Sequence, residues 1–368
     1  MRIGIDARFY GAGSGLGRYT ASLITQLARI DHRNEYIIFT HPRAEVRLPG
    51  NFKIIRTKIQ WYGWYEQLLW PVILHRYQLD CMHFTHFNVP ILYRKKMIIT
   101  IHDLILLRQK KSSHISTLHP LYFKLKYYAY QAVVQSAIRH AWRVITVSDY
   151  AKQDIIRMVP RAASKIQVIY EGATISADAT RDASGMQFNP ADRFILYVGS
   201  AYPHKNLEFL IRNFSKFRLT HPEFYLVLVG KRDYFYTRLV GWVDQQKFQH
   251  IVFADAISDA GLEVLYKTAA AFAFPSLDEG FGLPPLEAMQ YGLPVLSSNA
   301  ASLPEVLGQA ALYFNPREDH LFIEQLNRIT SDRQLRLHLI SEGKKQAARY
   351  SWERMAAQTL ELYQSASN

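Results

Sequence analysis

Two carboxylates eight positions apart, Glu279 and Glu287, bracket the stretch Glu279-Gly-Phe-Gly-Leu-Pro-Pro-Leu-Glu287, and a lysine, Lys205, stands upstream in Pro203-His-Lys-Asn206. A carboxylate would repel a bound phosphate but is a strong acceptor for hydroxyls, so the two glutamates suit a sugar or a ribose. Phosphate chemistry falls to other groups: the ammonium of Lys205 and the backbone N–H groups of Phe281, Gly282 and Leu283, where a helix is expected to begin. A lysine at a helix start sits against the helix dipole, which argues for an anionic ligand beside it. A third feature, His102-Asp103, directly follows an apolar run. The histidine can donate to a sugar hydroxyl or a phosphate, and Asp103 can brace either the loop or a ring nitrogen. Each of these residues also has a plain structural reading, as a solvated helix carboxylate, an exposed lysine or a satisfied His-Asp turn.

These groups need elements to hold them. Apolar runs at 271–274 and 294–297 read as buried strands flanking a helix at 283–290, and such a unit places its loop at the carboxyl edge of a parallel sheet. Further strands are predicted at 194–198, 224–229 and 251–253, with helices at 207–219, 258–267, 317–330, 332–350 and 352–364. In the first half, strands are predicted at 2–6, 36–40, 53–56, 81–84, 97–101 and 144–147, with helices at 64–76, 118–141 and 149–158. Ser148 is the expected cap of the last of these, and Asn206 favours the start of the helix after Lys205. The alternation implies an α/β chain with mostly parallel sheets covered on both faces. Residues 7–17 read as a glycine-rich loop with a helix starting near Gly17 or Arg18; Gly15 and Gly17 would let its backbone approach a ligand. The loop lacks the third glycine of the dinucleotide fingerprint. The composition of 170–192 reads as linker.

A length of 368 residues accommodates two domains. The net charge of +13 is segregated: positions 1–185 hold 26 Lys+Arg against 12 Asp+Glu, and the remainder 18 against 19. The first domain is thus expected to be drawn to nucleic acid or to an anionic membrane face. Aromatic stretches around Trp61–Tyr65 and Tyr122–Tyr128 suit the lipid headgroup level, a glycan platform, RNA stacking or plain packing. His83 and His86 lie three apart without companion ligands, which favours an acceptor loop or packing over a metal. The single Cys81 gives neither a disulfide nor a metal cluster. With no long uncharged apolar run and no signal-peptide form at the N-terminus, a cytoplasmic location is expected.

The string from Glu279 to Glu287, followed by Gly292-Leu-Pro-Val295, resembles the retaining nucleotide-sugar glycosyltransferases of family 4, also called glycosyl transferases group 1. The resemblance extends over nearly the whole chain, and Pro203-His-Lys-Asn206 is similar to bacterial polysaccharide mannosyltransferases. It implies the GT-B architecture, two Rossmann-like domains facing each other across a cleft: residues 1–175 as acceptor domain, rejoined by a return helix at 351–368, and 190–350 as donor domain. It further implies catalytic roles for Glu279, Lys205 and His102, with Glu279 on the donor sugar, Glu287 on the nucleotide ribose and His102 orienting the sugar. Gly15, Gly17, Ser200, Lys205, Phe281, Gly282, Leu283 and Glu287 would bind the donor. The donor implied is a nucleoside diphosphate sugar, GDP-mannose before UDP-sugars, with no cofactor or metal required. The departing phosphate would help remove the acceptor proton on the same face. The acceptor implied is a glycan or lipid-linked glycan at the inner leaflet, with peripheral contact on the cytoplasmic face of the inner membrane and no specific nucleic acid. Ser200 departs from the pattern, since many relatives place an arginine there. The competing readings are a basic nucleic-acid-binding α/β protein and another nucleotide-sugar enzyme such as an epimerase.

Overall fold

The computed structural model describes residues 1–11, 15–108, 120–173, 193–255 and 257–366, leaving the side chains of 120–125 aside. The linker expected at 170–192, the predicted helix start at 118–119 and the aromatic stretch at 122–125 fall largely outside this description. The chain divides into two compact units, Met1–Gly172 with Ser351–Asn368, and Ala173–Tyr350.

The first unit is built on strands β1 (Arg2–Ala7), β2 (Glu35–Thr40), β3 (Phe52–Arg56), β4 (Cys81–Phe84), β5 (Met97–Ile101), β6 (Arg143–Thr146) and β7 (Ile166–Val168). They form one sheet in the order β3-β2-β1-β4-β5-β6-β7, and every pairing is parallel. β4 and β5 are buried at every position, as strands covered on both faces must be. The cover comes from helices α1 (Gly15–Ile30), α2 (Trp64–His75), α3 (Ile105–Arg108), α4 (Pro120–His140) and α5 (Asp149–Met158). Chain order reverses between β1 and β4, so the loops after these strands flank the crevice where such sheets take ligands.

The second unit repeats the plan with β8 (Phe194–Val198), β9 (Tyr225–Val229), β10 (Ile251–Ala254), β11 (Ala271–Phe274), β12 (Val295–Ser298) and β13 (Ala311–Phe314). Its parallel order is β10-β9-β8-β11-β12-β13, with the reversal between β8 and β11. Helices α6 (Leu207–Phe217), α7 (Tyr234–Gln245), α8 (Asp259–Thr268), α9 (Leu283–Gln290), α10 (Leu303–Leu307), α11 (Asp319–Ser331) and α12 (Arg333–Ala347) surround it. Helix α13 (Trp352–Ser365) then returns to the first unit and packs on α1.

Two local expectations change. Helix α1 starts at Gly15 rather than near Gly17 or Arg18, so Gly15 and Gly17 belong to its first turn and not to a preceding loop. The helix predicted over 332–350 is instead α12, which ends at Ala347. Among the described residues, no helix is long and apolar enough to cross a membrane.

The return helix is tied down by a buried polar chain. One ring nitrogen of His83 meets the Tyr363 hydroxyl at 2.5 Å and the other meets the Thr100 hydroxyl at 2.8 Å, while Tyr19 reaches Thr100 at 3.1 Å. Burial lowers the His83 pKa from 6.5 to about 3, with a smaller push from His102. The folded ring therefore stays neutral where the unfolded ring takes a proton. Above pH 6.5 neither state binds it; as pH falls from 6.5 towards 3, stability is lost at about 1.4 kcal/mol per pH unit from this group. Denaturant unfolding between pH 7.5 and about 5 should show the fall, and His83→Gln should make it shallower. An unchanged slope in that variant would place the effect elsewhere.

Candidate functional site

The carboxyl edge of the second sheet is assembled from loops sewn to one another. β8 is followed by Gly199, whose φ of +153° and approach to Tyr197 admit no side chain: a Cβ there would lie 2.6 Å from the Tyr197 hydroxyl. That hydroxyl donates instead to the Ser200 carbonyl at 2.8 Å. A single 3-10 turn, Pro203–Lys205, follows, and Asn206 then adopts the left-handed conformation at φ 58°. Asn206 does not cap α6 through its side chain; its amide bridges outward to the carbonyls of Pro275 and Pro316, each at 3.2 Å. The Leu277 N–H donates to the His204 carbonyl at 2.7 Å. These bonds fasten the turn holding Lys205 to the loop after β11.

The consequence is an ion pair. The Lys205 ammonium lies 2.6 Å from Glu279 Oε1, with side chains 16% and 9% exposed. It also stands 5.7 Å from the centroid of the Phe274 ring. The glutamate's own backbone is fixed from behind, since the buried Ser302 hydroxyl reaches the carbonyls of Glu279 at 3.1 Å and Phe281 at 3.2 Å. Gly282 turns the chain into α9 with φ +105°, and a Cβ there would come within 2.8 Å of Leu303. Pro284 and Pro285 occupy the first turn of α9, where a missing N–H breaks no helical bond. They also thin the donors at this helix end, leaving those of Phe281, Gly282 and Leu283 as the ones nearest Glu279 in sequence. Glu287 is buried in the second turn and accepts from the Tyr266 hydroxyl at 3.0 Å.

In the first unit, His102 follows β5 and is held at both ring nitrogens: Nδ1 meets Glu171 Oε1 at 2.7 Å and Nε2 meets the Thr85 carbonyl at 3.1 Å. Both partners accept, so the ring satisfies both contacts when each nitrogen carries a proton. The Tyr19 ring packs edge-on against it at 4.6 Å. Of the two roles open to Asp103, the structure has it bracing the loop, accepting from Ile105 N–H at 3.0 Å. The ring nitrogen belongs to Glu171, a partner 69 positions away that no local pattern signals. In the same unit, Arg8 bridges Asp6 at 2.6 Å and Glu66 at 2.6 Å, all three buried. Burial opposes the Arg8 charge, but the two carboxylates outweigh it; burial raises the Glu66 pKa while Arg8 opposes the rise.

The structure thus brings Lys205 and Glu279 into contact and sets the N–H groups of 281–283 on the same loop, with Ser200 after the neighbouring strand. Gly15, Gly17 and His102 lie in the other unit. His83 is committed to packing, and His86 is buried against Phe9 and Phe87 with its Nδ1 unpartnered and its pKa held well down by burial, with His102 and Arg8 adding to the effect. Arg232, in the basic pair after β9, is neutralised by Asp255 at 2.8 Å. Sequence reasoning missed Glu171, Tyr266 and the bridging role of Asn206, all of which act across long sequence separations.

Two parallel α/β units with polar groups collected at their carboxyl edges define the GT-B class of glycosyltransferases, and similarity to known proteins agrees. The profile described as Glycosyltransferase Family 4 matches residues 13–176, and that described as Glycosyl transferases group 1 matches 179–346. The chain belongs to this glycosyltransferase family. It is 28% identical over 265 residues to the O-antigen chain mannosyltransferase RfbU of Salmonella typhimurium, a match spanning 71% of each chain. It is 29% identical to the O-antigen chain mannosyltransferase B of Escherichia coli, over 60% of each chain. The structure of sucrose-phosphate synthase from Thermosynechococcus elongatus superposes with a TM-score of 0.78 at 18% identity, covering 99% of this chain and 98% of that one.

Because one hydroxyl holds two buried carbonyls of the Glu279 loop, Ser302→Ala should lower unfolding free energy by about 1–3 kcal/mol while leaving the sheet intact. Urea unfolding with far-UV circular dichroism checks both parts; a wild-type midpoint would show that the loop is held by other contacts.

Proposed function

We propose that the protein is a retaining mannosyltransferase that moves mannose from GDP-mannose to a lipid-linked or polysaccharide acceptor in cell-envelope glycan synthesis. The observation that carries this reading is the Lys205–Glu279 contact at 2.6 Å, a cation and a hydroxyl acceptor brought together at one loop edge, with the backbone N–H groups of 281–283 following Glu279 in the chain at the start of α9. The choice of mannose rests on the two relatives named above, which are mannosyltransferases.

In the reaction the bond between the anomeric carbon and the diphosphate oxygen breaks, and the acceptor oxygen bonds that carbon on the same face. The acceptor proton passes to the departing phosphate. Lys205, with the N–H groups of Phe281, Gly282 and Leu283, stabilises the charge that grows on the diphosphate. Glu279 accepts from hydroxyls of the sugar, Glu287 from the ribose, and His102 orients the transferred sugar; Gly15, Gly17 and Ser200 contribute backbone contacts to the donor. No metal ion takes part, and the enzyme works in the cytoplasm at the face of the inner membrane, where a lipid-linked acceptor is presented.

The ion pair makes a split prediction. Lys205→Gln should weaken binding of GDP and slow transfer, whereas Glu279→Gln should leave GDP affinity unchanged or tighter, because it removes an anion from beside the diphosphate. Transfer in Glu279→Gln should still fall at least about tenfold, near 1.4 kcal/mol of transition-state stabilisation. Calorimetry with GDP and product analysis with GDP-mannose and a polysaccharide-repeat acceptor measure the two arms. Wild-type transfer in both folded variants would remove the assigned roles, and turnover abolished by a chelator would remove the metal-free mechanism. A thermal-shift panel of nucleoside diphosphates tests the base: stabilisation by UDP and not GDP would turn the reading to a UDP-sugar.

A further inference from the structure

Helix α2 carries a surface that sugar transfer does not use. Its inner face is fixed: Glu66, Trp70, Pro71 and Leu74 are buried, and Arg8 lies 4.9 Å from the Trp70 ring centroid. Its outer face consists of Trp64, Tyr65, Leu68, Leu69 and Val72, exposed by 82%, 74%, 60%, 48% and 54%. At about 100° per residue these five positions share one arc of about 140°. Glu66 is the sole charged residue from Trp64 to Val72, and it points inward to Arg8. Leu92, also exposed, adjoins this face, since the neighbouring Ile91 N–H donates to Gln67 of α2 at 2.9 Å. Scattered exposed apolar residues are ordinary; a whole helix face of them marks a binding surface.

Charge indicates what covers it. The margin carries exposed Arg76 at the end of α2 and exposed Arg94 beyond Leu92, the latter anchored to the carbonyls of Ile91 and Tyr93. The unit as a whole has 26 Lys+Arg against 12 Asp+Glu, so a second copy would bring like charge to the contact. An apolar ridge with tryptophan and tyrosine, rimmed by arginines, matches the interface of a bilayer with anionic headgroups. We propose that the outer face of α2, with Leu92, Arg76 and Arg94, docks on an anionic lipid surface. The proposal deepens the membrane-side placement given above by naming the surface. Because α2 leads into β4, a parallel strand, its N-terminal end with Trp64 lies at the carboxyl edge of the sheet, the edge that also holds His102. Docking there would bring that edge to the headgroups.

Co-sedimentation of the full chain with vesicles of phosphatidylcholine, with and without phosphatidylglycerol, tests this without donor or acceptor, so its failure would leave the transfer reading standing, and the reverse. The expected result is binding that rises with phosphatidylglycerol and falls with salt. Trp64→Ser with Leu68→Ser should weaken it about tenfold or more, and Arg76→Glu with Arg94→Glu should abolish the preference for anionic vesicles. Both pairs are on the surface and should keep the wild-type melting temperature and GDP affinity. Wild-type vesicle binding by the Trp64/Leu68 pair would overturn the proposal. So would a wild-type chain that ignores anionic vesicles, or one that sediments as a dimer dissolved by the same pair.

Discussion

A lysine and a glutamate, each costly to bury alone, share one nearly closed corner of the second sheet. Removing water from either charge costs several kcal/mol, and their contact is what makes the corner tolerable. Everything around them serves that contact: Asn206 bridging to two prolyl carbonyls, Leu277 bonding the turn, Ser302 holding the glutamate's backbone. The pair also resolves the puzzle of a carboxylate beside a phosphate site. With no donor bound, each charge satisfies the other. In the proposed reaction the ammonium moves its attraction to the diphosphate, and the carboxylate, relieved of the cation, accepts hydroxyls. Neither group needs to be left bare at any stage.

The first unit handles charge differently. Its Arg8–Asp6–Glu66 cluster is closed, with Tyr62 N–H and the Asn88 amide completing Glu66. Burial is the main force raising the Glu66 pKa; Arg8 and the Asn88 amide pull it back, and the second carboxylate, Asp6, adds only the smallest push upward. His102 is likewise committed on both nitrogens, to Glu171 and to Thr85. A sugar hydroxyl could engage the ring only by replacing the weaker of these contacts, the 3.1 Å bond to a carbonyl. Glu171 then keeps the ring's orientation through the exchange.

How much of this was legible in the sequence follows from the range of the interactions. Strands such as 81–84, 97–101 and 194–198 were readable because burial on both faces forces continuous apolar runs, and α5 and α8 because Ser148 and Ser258 accept from the N–H three residues on. Helix α7 was not foreseen: Gly241 interrupts it, and the β-branched Thr237, Val240 and Val243 blur its period. β7 and β13, short edge strands of three and four residues, leave too little pattern to read. The candidate groups on 279–287 stand in one short string and are readable from it. Their supports are not, since Tyr266 to Glu287, Asn206 to Pro316 and Glu171 to His102 join residues 21, 110 and 69 positions apart.

The same contrast of local and distant constraint explains α2. Packing alone accounts for half of that helix, the side whose Trp70 lies under Arg8 and whose Glu66 closes the charge cluster. If folding were the only demand, the opposite side would carry polar residues, as amphipathic helices against a sheet do. Apolar residues there gain nothing from the fold while exposed and raise the hazard of self-association. The excess positive charge of the unit counters that hazard by repelling copies of itself while attracting anionic surfaces. One helix therefore has two faces set by two environments: an inner one by the buried carboxylate that organises the sheet edge, an outer one by the lipid surface we propose it meets.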